Sequence, residues 1–174
     1  MKTASESRVL AEGAVVVALA FVLGQIKIYR LPYGGSVTAG SMVPLLWFAL
    51  RHGLRSGIEV GAVYGMVDLA LGGYIVHPIQ VLLDYPIAFG CLGLAGAFRE
   101  RAPFLGVVVG MTGRFLSHFV SGVIYFADYA PEGMSPIIYS AIYNGTYILP
   151  ELAISLVIIS ILLKTRFLET LSNQ

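Results

Sequence analysis

Long apolar runs with sparse charge between them dominate this chain, and a polypeptide built that way can satisfy its surface only in lipid. A helix needs about 20 apolar residues to cross the hydrocarbon. Six runs reach or approach that length: residues 9–28, 37–50, 57–71, 78–98, 104–126 and 143–163. The second and third are short. Charged residues make up 12% of the chain and mean hydropathy is +0.80, whereas a soluble domain carries about 25% charged residues. A soluble enzyme and a disordered chain are excluded on that ground. A net charge of +1 provides no footprint for nucleic acid. Cys91 is the lone cysteine, so no intramolecular disulfide or cysteine metal cluster is expected. The first run is read as a span rather than a secretory leader, because it is too long and lacks a small-residue cleavage site. The expectation is an all-α integral membrane protein, with residues 1–174 forming one transmembrane domain of six helices.

The basic residues orient that bundle. With the N-terminus inside, Lys2, Arg8, Arg51, Arg55, Arg99, Arg101, Lys164 and Arg166 fall in cytoplasmic segments, against only Lys27 and Arg30 outside. The positive-inside rule then puts both termini in the cytoplasm of a multi-pass cell-membrane protein. No strand pattern stands out.

Ionisable groups inside spans are costly and mark candidate sites. At 1.5 Å per residue, Asp84 lies roughly 9 Å below the outer end of the fourth run, and His118 roughly 21 Å above the inner end of the fifth. Asn144 sits at the mouth of the sixth. Asp68 closes the third on the outer side. Tyr33, Tyr74, Tyr85, Phe126, Tyr139 and other aromatics crowd the same half. A carboxylate, an imidazole and an amide among aromatic faces suit a small, flat, cationic or heteroaromatic ligand. The plainer alternatives are an interfacial aromatic belt and an interhelical polar network. Arg114 is expected to pair with Glu151 or Asp68 and brace the bundle, and Glu12 to be solvated.

Small residues recur every fourth position at Ala14 and Ala18, at Gly57, Gly61 and Gly65, and at Gly106 and Gly110. Such spacing lets helix backbones approach. The glycines read as internal packing; Ala14 and Ala18 read as packing or as a contact with a partner protein. The segment 31–38, with Gly34 and Gly35 as hinges, is a candidate lid or a plain turn.

Several motifs resemble the ThiT thiamine transporter family, the vitamin-binding S-components of energy-coupling factor (ECF) transporters. They are Leu31-Pro-Tyr-Gly-Gly-Ser-Val-Thr38, Pro78-Ile-Gln-Val-Leu-Leu-Asp-Tyr-Pro86, His118-Phe-Val-Ser-Gly-Val-Ile-Tyr-Phe126, Tyr129-Ala-Pro-Glu-Gly133 and Tyr139-Ser-Ala-Ile-Tyr-Asn144. The resemblance implies an S-component-like bundle that captures thiamine from outside without catalysis or cofactor. It implies the transmembrane subunit EcfT and two cytoplasmic ATPase subunits as partners, with Ala14 and Ala18 as the docking motif. It implies Asp84, His118, Gly122, Tyr139 and Asn144 as ligand contacts, with Tyr74 and Tyr85 as further members. The thiazolium would lie near Asp84, and the pyrimidine edge against Asn144, Tyr139 and His118. The family's pocket tryptophans are missing: Trp47 is the single Trp, Phe126 stands where one of them would be, and Tyr33 or Tyr64 replaces others. Asp84 is also one methylene shorter than the expected Glu. A thiamine precursor or relative is therefore an alternative ligand.

Three rivals have distinct signatures. A membrane enzyme would need a nucleophile or metal triad, and His52, His77 and His118 show no such spacing. A stand-alone secondary transporter would relay protons through Asp84, His118 and Glu151. A structural subunit would bind no small molecule. The chain has no G-x-x-x-x-G-K-[ST] loop, so it cannot itself hydrolyse ATP by that route.

Overall fold

The computed structural model describes residues 6–165. Lys2 and Arg166, counted in the charge balance, lie outside that range. Six helices follow one another: α1 (Glu6–Gln25), α2 (Met42–His52), α3 (Leu54–Ala70), α4 (Pro78–Phe98), α5 (Pro103–Tyr125) and α6 (Pro136–Lys164). All but α2 and α3 are long and apolar enough to cross a bilayer. The chain is thus all-α apart from one feature the sequence did not signal. Strands β1 (Lys27–Arg30) and β2 (Ser36–Thr38) pair antiparallel across a turn at Pro32–Gly34. That hairpin ends the first helix at Gln25 rather than Ile28 and delays α2 to Met42.

Helix starts follow local chemistry. Proline occupies the first position of α4, α5 and α6, where its missing N–H costs nothing. The His77 ring and the Ser135 hydroxyl accept from Ile79 N–H and Ile137 N–H, capping α4 and α6. The Ser135 cap starts the last helix at Pro136, one helical turn and more before the expected 143, so Tyr139 and Asn144 stand inside a helix. Between α2 and α3 a single residue, Gly53 with φ +95°, makes the reversal.

The glycine series of α3 packs internally, as its spacing suggests. A Cβ on Gly57 would meet Gly93 Cα, one on Gly61 would overlap the Phe89 carbonyl, and one on Gly65 would overlap the backbone of Tyr85. Helix α3 therefore lies backbone to backbone along α4, and Gly106 and Gly110 bring α5 against the other side of α4 through Ala95 and Leu92. The core is apolar, with Phe48, Leu46, Leu92, Met111 and Ile159 fully buried. Large apolar side chains also face outward, Leu10 being 73% and Ile75 68% exposed, which only a lipid surround tolerates at this density. Glu12 is not simply solvated: Arg8, Arg51 and His52 all pair with it, tying α1 to α2.

Helix α4 changes its winding. Pro86 cannot donate to the carbonyl four residues back, and residues Leu83–Ile87 widen into a π turn, with Ala88 N–H bonding to Leu83 O. Small residues then allow a tight 3₁₀ run at Cys91–Phe98. The π turn is the segment that carries Asp84 and Tyr85, and Gly65 is what lets it seat. Gly65→Ala is expected to lower the melting temperature in detergent, with overpacking costing about 1–3 kcal/mol. Gly145→Ala, where the nearest atom is Leu149 Cδ1 at 3.9 Å, is expected not to. Equal melting of the two variants would mean the α3–α4 contact carries no such weight.

Candidate functional site

The β1–β2 hairpin, the α3–α4 loop and the α5–α6 loop gather at one end of the bundle. Beneath them lies a cavity of about 320 Å³, reaching down to Arg114 and Glu151, within the size range of small-molecule sites. All ten side-chain positions singled out from the sequence, namely Tyr33, Tyr64, Tyr74, Asp84, Tyr85, His118, Gly122, Phe126, Tyr139 and Asn144, line this one cavity.

Asp84 is the best-supported group in it. The π turn aims its carboxylate toward α5, where two residues at i, i+3 spacing meet it. His118 Nδ1 lies 3.0 Å from Oδ1, and Ser121 Oγ donates to Oδ2 at 2.9 Å. Gln80, one turn earlier on α4, donates Nε2 to Oδ2 at 2.7 Å. Gln80 is itself buried and pinned, bonding Tyr74 O at 3.1 Å and Val76 N–H at 3.0 Å. Ser117 donates to Leu83 O at 2.6 Å, satisfying a carbonyl of the π turn. With Nδ1–H donating to the carboxylate, a neutral His118 presents Nε2 as an acceptor; that atom is buried and makes no hydrogen bond to the described residues.

Asn144 belongs to a second network. Its Nδ2 donates to Ser140 O at 2.9 Å and to Ser140 Oγ at 3.1 Å, and its Oδ1 accepts from Tyr147 Oη at 2.8 Å. Gly122 acts by absence. A Cβ there would overlap Ser140 Oγ, so the glycine admits α6 closely enough for that network to form beside His118.

Aromatic rings form the rim. Tyr33 and Tyr129 lie 4.4 Å apart, and Phe126 packs 5.8 Å from Tyr129 and 6.1 Å from Tyr74. The Tyr74 and Tyr129 hydroxyls share a hydrogen bond at 3.0 Å, which raises the Tyr129 pKa above the ordinary phenol value. Tyr85 Oη meets Tyr74 N–H at 2.5 Å. Deeper down, Tyr64 packs edge-on against Phe89, centroids 4.7 Å apart. Trp47 lies on α2 with the Arg51 guanidinium 5.3 Å over its ring and takes no part in the cavity wall.

Two expectations need correction, one of them about the cavity floor. Arg114 forms no ion pair with Glu151 or Asp68 among the described residues; its guanidinium lies over the Phe89 ring at 4.7 Å, and Glu151 instead accepts from Thr38. The other concerns residues that were passed over. Gln80, Ser121 and Ser140 belong to the networks just described, as do Tyr129 and Tyr147, which the sequence placed only among the aromatics of this half. The spacings Gln80–Asp84 and Ser117–Ser121, one helical turn each, were the available signal.

The wall bears three carboxylates, Asp68, Asp84 and Glu151, against Lys27 and Arg114. Counted by formal charge with His118 neutral, acids outnumber bases by one, a balance that favours a cation. Among the described residues no group of three His, Cys, Asp or Glu gathers as metal ligands do. What the geometry can do is hold an organic cation: a carboxylate for its charge, ring faces for its π surface, and fixed donors and acceptors for its edge.

Fold and site together define a multi-pass cell-membrane protein with an aromatic-walled small-molecule cavity between its helices. A profile for the family described as "Thiamine transporter protein (Thia_YuaJ)" matches residues 10–170. The chain is 31% identical to "Thiamine transporter ThiT" of Bacillus subtilis over 90% of each chain. It is also 31% identical to the protein of that name in Lacticaseibacillus paracasei, over 89% of this chain and 86% of that one. ThiT from Listeria monocytogenes, a solved structure, superposes with a TM-score of 0.85 at 27% identity, covering 93% of this chain and 96% of that one. The chain belongs to the thiamine transporter (Thia_YuaJ) family.

Proposed function

We propose that this chain is the thiamine-capturing S-component of an ECF-type importer, binding the vitamin from the extracellular side and carrying out no catalysis. In this reading all six helices lie in the bilayer and both termini are cytoplasmic, in keeping with the basic residues. Transport is driven by partners, EcfT in the membrane and two ATPase subunits below it. Ala14 and Ala18 supply the docking face. Both are exposed on α1, whereas Gly13, Val16 and Ala20 turn inward, so internal packing leaves them available.

The single observation that carries the reading is Asp84, braced by His118, Ser121 and Gln80 inside an aromatic-walled cavity. Thiamine combines a permanent thiazolium charge with an aminopyrimidine edge. The thiazolium sits by Asp84 and the ring faces of Phe126 and Tyr33. The pyrimidine edge meets Asn144, Tyr139 and the free acceptor of His118. The hairpin tip closes over both.

Calorimetric titration of the purified protein with thiamine tests this, since Trp47 does not line the cavity and is no sufficient reporter by itself. Saturable binding at submicromolar thiamine is expected. A folded protein that binds no thiamine overturns the reading. A pyrimidine or thiazole relative is the second candidate, favoured by Phe126 and Tyr33 standing where tryptophans were expected; it predicts tighter binding of that relative than of thiamine. Uptake that persists without the ATPases would point to a secondary transporter.

A further inference from the structure

The hairpin over the cavity is fastened to α6 at two heights. Near its tip, Gly35 N–H donates to Tyr143 Oη at 3.0 Å, and the same hydroxyl donates to Pro32 O. At its base, Glu151 Oε1 accepts from both Thr38 N–H, at 2.5 Å, and Thr38 Oγ1, at 2.6 Å. The Thr38 and Ser41 hydroxyls lie 2.7 Å apart, which carries the tie to the start of α2. Glu151 and Tyr143 are eight residues apart on one helix, roughly 12 Å.

The two fastenings differ in strength for physical reasons. The base is a carboxylate only 1% exposed, receiving two donors from one residue that is itself buried. Two hydrogen bonds from one residue to one buried oxygen, where no water competes for the donors, make a firm tie. The tip is held by a neutral phenol and by ring contact between Tyr33 and Tyr129. Tyr33 also adopts φ 64°, a left-handed conformation that a non-glycine residue holds at a cost. The tip is therefore predisposed to release while the base stays in place.

We propose that Glu151 is a positioning residue for the ligand site: by anchoring Thr38 it fixes the base of the β1–β2 strap, so that the strap opens only at its tip and holds a bound organic cation in the cavity. The role is exerted through Thr38 and does not depend on contact between Glu151 and the ligand. Its ligand arm rests on the thiamine-capture reading above.

The test has one arm with ligand and one without. In the intact protein, Glu151→Ala is expected to speed thiamine dissociation on the order of tenfold to a hundredfold, the range for leaving buried donors without their acceptor, with association changed far less. Glu151→Gln keeps an acceptor for Thr38 and is expected to restore slow release. Thr38→Val should speed release too and add little on top of Glu151→Ala, because the pair acts as a unit. In the ligand-free arm, Pro32→Cys in a Cys91→Ala background reports tip exposure by its reaction with an impermeant maleimide, and Glu151→Ala is expected to accelerate that labelling. Glu151→Gln releasing as fast as Glu151→Ala would overturn the proposal, since the charge and not the anchor would then matter. So would a lowered melting temperature with both release and labelling unchanged. Faster labelling in a protein that binds no thiamine would uphold the anchor and overturn the thiamine reading alone.

Discussion

Asp84→Asn is expected to weaken thiamine binding about thirtyfold to a hundredfold, while a neutral aminopyrimidine analogue loses much less. The substitution conserves shape and removes the charge. A charge-assisted contact contributes about 1.5–3 kcal/mol, and each 1.4 kcal/mol is about tenfold in affinity. The surroundings add a second cost. An Asn amide would turn a donor toward a neighbour, and Gln80 cannot easily rotate to receive it, because its own oxygen and nitrogen are already committed to Val76 N–H and Tyr74 O. The second cost falls on every ligand alike; the first falls on the cation. Calorimetry with both ligands on the same variant therefore separates them, and melting of the ligand-free protein checks that the fold is intact. Equal losses for thiamine and the neutral analogue would overturn the pairing of Asp84 with the thiazolium.

The other large effect concerns coupling. Ala14→Trp combined with Ala18→Trp is expected to reduce thiamine uptake in cells to background while leaving binding by the isolated protein unchanged. The reason is where α1 turns its faces. Val16 and Ala20 are buried, whereas Ala14 and Ala18 lie on an exposed line with Leu10 and Val22. Indole rings there meet no neighbour within the bundle, so folding and the cavity are spared, but a helix that must approach that line is held off. Uptake that survives the double substitution would mean this line faces lipid alone.

Helix content and membrane residence were readable because both rest on local, additive properties. Run length and charge density are summed along one continuous stretch of chain. The aromatic and polar candidates were readable for a similar reason: a polar group in an apolar run stands out against its neighbours. Helix limits were less so. The Ser135 cap and the β1–β2 hairpin depend on backbone hydrogen bonds that hydropathy does not register.

Partner choice needed the tertiary structure. Asp84 and His118 are 34 residues apart, and Glu151 and Thr38 113 apart. Glu151 had Arg114 as an equally sensible partner by charge, and charge alone favoured the wrong one. The outcome turned on which backbones could come close. Glycines at 65 and 122 admit the α4 π turn that carries Asp84 and the Ser140–Asn144 network of α6. Residue type settles what a side chain is able to bond; distances of a few tenths of an ångström between helices, set by small residues far apart in the chain, settle what it does bond.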